Sequence, residues 1–222
     1  MKLSVIIPVY NSSEILNELH LRINKVINEA KLENNFEILM INDCSKDDSW
    51  KIIKNLSSKY SYIKGINLSR NFGQHGAIMA GLNYCNGEKI ITLDDDLQHP
   101  PEFFPNILEK LDNFDVCYTY YDNRQHIRWK RLVSYINNIV SSFLLNKPFY
   151  IYMSSFRGLK KNVIENMIKN KGPNVYLDSL ILKSTKKIAM ITVKHYARKK
   201  GESNYTFKKL LILWSNMIMN FS

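Results

Sequence analysis

The sequence is poor in the residues that staple, bend or span. Only 3 Cys, 8 Gly and 6 Pro occur in 222 residues. Cys44, Cys85 and Cys117 lie far apart and form no CxxC pair, which excludes a disulfide framework and a cysteine-based zinc site and fits a reducing compartment. With so little glycine and proline, and with no low-complexity tract or fixed-period repeat, linker-rich scaffolds, solenoids and propellers are excluded as well. Long apolar runs are also missing. The longest, Leu210 to Phe221, is broken by Ser215, Asn216 and Asn220 and falls short of the roughly 18–20 apolar residues of a spanning helix. The run after Lys2 meets Pro8 and reads as a first strand, being too short for a signal-peptide core. What is present, 45% hydrophobic and 23% charged residues, is the composition of one globular domain.

Charge is distributed unevenly along the chain. Residues 1–121 hold 12 Lys/Arg against 16 Asp/Glu, whereas residues 122–222 hold 19 against 4, so the overall +11 conceals an acidic half and a strongly basic one. An acidic half suits cations; a basic half suits phosphates, nucleic acid or an anionic membrane surface.

The first half alternates strand-like and helix-like patterns. Strands are predicted over Leu3–Val9, Phe36–Ile41, Ile63–Leu68 and Lys89–Leu93, with Asp115–Thr119 as a further one. Helices are predicted from the spacing of Ile15, Leu16, Leu19, Ile23, Val26 and Ile27, over Trp50–Leu56, over Gly76–Tyr84 and after Pro100-Pro101-Glu102. Asn11-Ser12-Ser13-Glu14 resembles a capping box for the first of these, and Pro8 predicts that the first strand ends or bulges there. Two basic amphipathic helices are predicted, over Arg128–Leu145 and Phe207–Met219, carrying Trp129 and Trp214. Strands separated by helices imply right-handed crossovers and a largely parallel sheet covered on both faces.

Ligands of such sheets bind beyond the carboxyl ends of the strands. Four polar clusters fall at those ends: Pro8-Val9-Tyr10-Asn11, Asn42-Asp43-Cys44-Ser45, Ser69-Arg70-Asn71 and Asp94-Asp95-Asp96-Leu97-Gln98. Three adjacent carboxylates repel unless a cation neutralises them. Alternation along an extended segment directs Asp94 and Asp96 to one side and Asp95 to the other, and a hard divalent ion accepts such oxygens while keeping positions for substrate phosphates. His75 and His99 lack metal-ligand spacing and are expected at the surface or behind the site.

SVIIPVYN, IND-C-S, LSRNFGQHGAIMAGL, LDDDLQHPPE and the late RKKGESNYTFKKL together resemble the inverting family 2 glycosyltransferases of the GT-A fold. Within them, the likeness is to the subgroup of dolichyl-phosphate mannose synthase and the bacterial undecaprenyl-phosphate sugar transferases. The resemblance covers nearly the whole chain and implies an α/β, Rossmann-like GT-A architecture. That architecture is a mixed, largely parallel sheet with helices on both faces, with a catalytic domain over 1–205 and a C-terminal amphipathic, juxtamembrane helix over 206–222. It also implies that relatives continue past Ser222 into membrane-spanning helices.

For the site, the resemblance implies that Pro8, Tyr10, Asn11 and Glu14 hold the base and ribose of a nucleotide-sugar, with Asp43 on the base and Ser45 beside it. Asp94 and Asp96 hold Mg2+ or Mn2+ on the donor diphosphate with Gln98 close by. Arg198, Gly201, Ser203 and Tyr205 close over the diphosphate, and Arg198 stabilises the leaving group. Where some members carry an Asp before the Phe-Arg pair, this chain has Ser154-Ser155-Phe156-Arg157. Asp178 is the alternative candidate for a base, or else a helix N-cap.

The function expected is inverting transfer of a sugar to a polyprenyl (undecaprenyl) phosphate for cell-envelope glycan synthesis. The protein would sit in the cytoplasm, peripheral at the inner face of the membrane, with oligomeric state left open. A saccharide hydroxyl acceptor is the alternative. A basic nucleic-acid-binding module is the alternative of another class, and it leaves the acidic strand-end cluster without a role.

Overall fold

The structure, a computed structural model, describes residues 2–32, 35–121, 142, 147–148, 150–169 and 176–193. In chain order these form β1 (Leu3–Val9), α1 (Leu16–Glu29), β2 (Phe36–Asn42), α2 (Ser49–Lys59), β3 (Ile63–Asn67), α3 (Gly73–Tyr84) and β4 (Lys89–Thr92). A 3-10 turn at Pro101–Phe103 then runs into α4 (Phe104–Asn113), followed by β5 (Val116–Tyr121), β6 (Arg157–Lys160), α5 (Lys161–Met167), α6 (Leu177–Ser184) and β7 (Ile188–Val193).

The strands form one seven-stranded sheet in the order β3-β2-β1-β4-β6-β5-β7. Pairing is parallel throughout except that β6 runs antiparallel to both β4 and β5, as expected of a mixed, largely parallel sheet. Alternation in the strands sorts the core into two layers. Leu3, Val5, Ile7 and Val9 of β1 pack with Ile38 and Met40 under α1, α2 and α4. Ile6, Leu39 and Ile41 face the opposite way onto α3, α5 and α6. At Gly81 of α3 an added Cβ would lie 2.6 Å from Ile6 Cγ2, so the absence of a side chain lets α3 settle against β1 and β2.

Two local expectations are corrected. Pro8 lies inside β1, in register with Ile41 of β2. The Ile6 carbonyl accepts from Leu93 on the β4 side, and the Pro8 nitrogen, two residues on, faces that same side after β4 has ended at Thr92. The missing N–H therefore costs no ladder bond. Nor does Asn11–Glu14 form a capping box: α1 starts at Leu16 without a side-chain cap, because the serines of that turn are engaged elsewhere. The predicted helices over Arg128–Leu145 and Phe207–Met219, and the proposed boundary at 205/206, lie outside the described residues, Ser142 apart. Among the described residues no helix is long and apolar enough to cross a membrane.

Candidate functional site

The four strand-end clusters converge on one edge of the sheet. Val9 pairs with Asn42, and Asn42 with Asn67; the Asn42 amide donates to Asn67 Oδ1 at 2.6 Å, and the Asp43 N–H donates to the Val9 carbonyl at 2.9 Å. Asp43 is buried. Its two carboxylate oxygens accept the backbone N–H groups of Phe72 (2.7 Å) and Gly73 (2.9 Å), at the start of α3 where Gly73 has φ +76°. The residue predicted to read the base thus also anchors the 71–73 turn, a conformation that glycine adopts without strain.

The turn after β1 is held by side chains along its whole length. The backbone N–H groups of Tyr10, Asn11, Ser12 and Ser13 donate in succession to Asp95 Oδ2 (3.0 Å), Ser45 Oγ (3.1 Å), Ser49 Oγ (2.9 Å) and Asp47 Oδ2 (2.9 Å). In return, Asn11 Oδ1 accepts the Lys46 N–H at 2.8 Å. Asn11 sits at φ +54°, a region asparagine tolerates better than most residues, and Tyr10 projects with 46% exposure. Glu14 is exposed in the same segment.

The three aspartates after β4 have different partners. Asp95 turns back to Tyr10 and Ser12. Burial pushes its carboxyl up to about 6, a rise that the Ser12 and Tyr10 donors oppose and the charges of Asp94 and Asp96 reinforce. Asp94 accepts from Gln74 through Oδ1 and from the Ser155 hydroxyl through Oδ2 at 2.8 Å. Its own N–H donates to His99 Nδ1 at 2.8 Å, and His99 Nε2 lies 3.8 Å from Asp94 Oδ2. Asp96 Oδ1 accepts the Gln98 N–H at 3.1 Å. Among the described residues no three His, Cys, Asp or Glu side chains form a ready metal cage. The Asp94 and Asp96 pair fits the other mode, in which one or two carboxylates hold a hard ion whose remaining positions go to substrate phosphates and water.

Reversal of β6 brings its starting residues to this edge. Arg157 lies in register with Thr92 of β4, and Thr92 Oγ1 donates to the Ser155 carbonyl at 2.6 Å. Arg157, 2% exposed, pairs with Asp178 of α6, 7% exposed, and Tyr118 donates to the same Asp178 Oδ1 at 2.8 Å. Burial, then the neighbouring Asp178 charge, raises the Tyr118 phenol well above its usual range. The candidate base is thus a carboxylate whose Oδ1 already serves two donors. His75 packs against Tyr176; burial lowers its basicity, and its Nδ1 has no hydrogen-bond partner among the described residues. His99 is buried and stacked on Phe156, with ring centroids 5.3 Å apart. It braces Asp94 from within the fold and does not lie at the surface.

Residues 4–168 match the family model described as Glycosyl transferase family 2. The chain belongs to glycosyl transferase family 2. Curated relatives include two proteins named undecaprenyl-phosphate 4-deoxy-4-formamido-L-arabinose transferase. The one from Klebsiella pneumoniae (strain 342) is 34% identical and the one from Salmonella choleraesuis (strain SC-B67) 36%, each over 98% of this chain. The chain spans 66% of the length of either relative. Among solved structures it is similar to glucosyl-3-phosphoglycerate synthase from Mycobacterium tuberculosis in complex with Mn2+, uridine diphosphate and phosphoglyceric acid. That likeness has TM-score 0.67 and 14% identity, covering 98% of this chain and 76% of the other. It is also similar to S. aureus TarS 1-349 in complex with UDP, with TM-score 0.63 and 21% identity, covering all of this chain and 67% of the other. The expected GT-A fold is therefore the fold observed.

Of the site residues expected from the sequence, Pro8, Tyr10, Asn11, Glu14, Asp43, Ser45, Asp94, Asp96 and Gln98 lie at or just beyond the carboxyl ends of β1, β2 and β4. Arg198, Gly201, Ser203 and Tyr205 lie outside the described residues. Sequence reasoning missed Gln74 and Ser155 as the donors on Asp94, and Arg157 as the partner of Asp178. The first two stand in motifs already visible, the NFGQHG run and the SSFR run. The third needed the antiparallel register of β6.

Proposed function

We propose that this family 2 glycosyltransferase moves a sugar from a uridine-diphosphate donor to a polyprenyl phosphate with inversion, in cell-envelope glycan synthesis. The observation that carries the reading is Ser155. It stands where some members of the family have a carboxylate, and its hydroxyl donates to Asp94 instead of accepting a proton from an acceptor. A hydroxyl acceptor needs a base to raise its nucleophilicity, whereas a phosphate oxygen is already anionic near neutral pH. Asp178, the other candidate, has its Oδ1 engaged by Arg157 and Tyr118. The names of the curated relatives support the same acceptor class, and their formamido-arabinose is the first sugar to test.

In this reading Tyr10 flanks the nucleobase, and Asp43 presents the 71–73 turn beside it while contacting the base. The acceptor phosphate oxygen attacks the anomeric carbon from the face opposite the diphosphate; the new C–O bond forms as the bond to the diphosphate breaks, and uridine diphosphate departs. Asp94 and Asp96 would hold Mg2+ or Mn2+, which when bound supplies positive charge against the growing negative charge of the leaving group. Gln74, Ser155 and His99 fix Asp94 in the orientation this requires. Arg198, with Ser203 and Tyr205, is assigned to the diphosphate by motif. The basic half, with 19 Lys/Arg against 4 Asp/Glu, draws the enzyme to the anionic cytoplasmic face of the membrane, each cation near it contributing about 1 kcal/mol before screening.

The test supplies UDP-sugars together with either polyprenyl phosphate or the matching polyprenol and analyses products by mass spectrometry. Product on the phosphate alone is expected, and Asp96→Asn should reduce the rate about 100-fold or more, as loss of a charge-stabilising group does. Equal transfer to the alcohol, or undiminished activity of Asp96→Asn, would overturn the reading.

A further inference from the structure

The middle carboxylate of the acidic run has no place in the metal pair, yet it is bonded across the sheet to the turn after β1. We infer that Asp95 is a positioning residue: it latches the Tyr10–Ser12 turn to the end of β4, so that the part of the site that takes the nucleoside and the part that takes the diphosphate are held in one geometry. The inference rests on the donor-site reading above.

Four consecutive N–H groups, Tyr10 to Ser13, are bound by side chains, and three of the four partners, Ser45, Asp47 and Ser49, lie between the end of β2 and the first residue of α2. Asp95 is the fourth, and it comes from the segment after β4, 85 residues along the chain from Tyr10. Its Oδ2 takes both the Tyr10 N–H and the Ser12 hydroxyl. These are charge-assisted bonds, stronger than those between neutral groups. The turn they hold includes Asn11 at φ +54°, a region uncommon for residues other than glycine. Because Asp95 directly adjoins Asp94 and Asp96, a displacement of Tyr10 is transmitted within one peptide unit to the pair facing the diphosphate. Side chains held by their own hydrogen-bonded supports are what keeps a binding constellation within its working tolerance.

The latch separates from a metal-ligand role by which ligand each variant loses. Nuclear magnetic resonance titrations would use uridine, which carries no phosphate, and UDP with saturating Mn2+. Asp95→Ala should weaken both by about tenfold, the size expected for losing hydrogen bonds to a charged group, whereas Asp96→Asn should weaken UDP and spare uridine. Asp95→Asn keeps an oxygen that can accept both donors and should restore uridine binding to within about threefold. Amide hydrogen exchange at Tyr10, Asn11 and Ser12 should accelerate in Asp95→Ala and stay near the wild-type rate in Asp95→Asn. If Asp95→Ala does not fold, Ser12→Ala removes one of the two bonds and should weaken uridine by about threefold. A loss confined to UDP in Mn2+, or uridine binding and exchange rates unchanged in every Asp95 and Ser12 variant, would overturn the latch. A wild-type protein that binds no nucleoside diphosphate would overturn the donor-site reading itself.

Discussion

Glu37, which is buried, and Asp95, which is half-buried, lie at opposite ends of the parallel strands, and their surroundings push them in opposite directions. At the amino end, Glu37 accepts from Ser4 (2.6 Å), the Asn86 N–H (2.6 Å) and Lys64 (2.7 Å), with Lys2 at 3.9 Å. Burial alone would raise its carboxyl, but the Lys64, Ser4 and Asn86 hydrogen bonds and the Lys64 charge outweigh it and hold it at about 2. At the carboxyl end, Asp95 has two donors, yet burial, reinforced by the charges of Asp94 and Asp96, pushes it up to about 6. The same kind of side chain is held low where cations compensate it and is raised where burial and neighbouring acids act together.

Four measurements sharpen or break the contrast. The largest effect is expected at the other compensated pair, Arg157 with Asp178. Arg157→Ala leaves a buried carboxylate without its cation and should cost about 3–5 kcal/mol in urea unfolding; a cost near zero would remove compensation as the principle that marks structural acids. Next, Glu37 predicts acid sensitivity of a definite sign. Its folded-state carboxyl is depressed from 4.5 to about 2, so its contribution is complete above about pH 4.5 and is lost as pH falls towards 2, amounting to about 3 kcal/mol. Glu37→Gln should flatten that part of the stability profile and leave UDP affinity unchanged.

A smaller cost is expected between the two ends. Gly81→Ala inserts a methyl against Ile6 and should destabilise the protein by about 2 kcal/mol through overpacking, with nucleotide affinity preserved in the folded fraction. The smallest effect on stability belongs to Asp43→Asn, which faces an amide NH2 towards one of the two N–H groups now bound by Asp43. About 1 kcal/mol is expected in unfolding, with a disproportionate drop of about tenfold in donor affinity because the 71–73 turn shifts. Equal effects on stability and affinity would assign Asp43 to the fold alone.

The sequence by itself determined the alternation of strands and helices, the four strand-end clusters and the opposite directions of Asp94 and Asp95. All of these follow from local periodicity: a period of two sorts side chains between faces, and the ends of apolar runs mark where a parallel sheet opens. Family motifs then attached a chemistry to those ends. Only the tertiary structure decided which groups the acids serve. Asp95 reaches a turn 83 to 85 residues away, Ser155 reaches Asp94 because β6 runs backwards, and Asp178 meets Arg157 across α6 and the sheet. Pro8 stays within β1 because β4 stops short beside it, and Ser12 is drawn from helix capping by Asp95. These outcomes depend on contacts between segments distant in sequence, whose free energies are set by burial and by neighbouring charge once the sheet order exists; no local pattern carries either quantity.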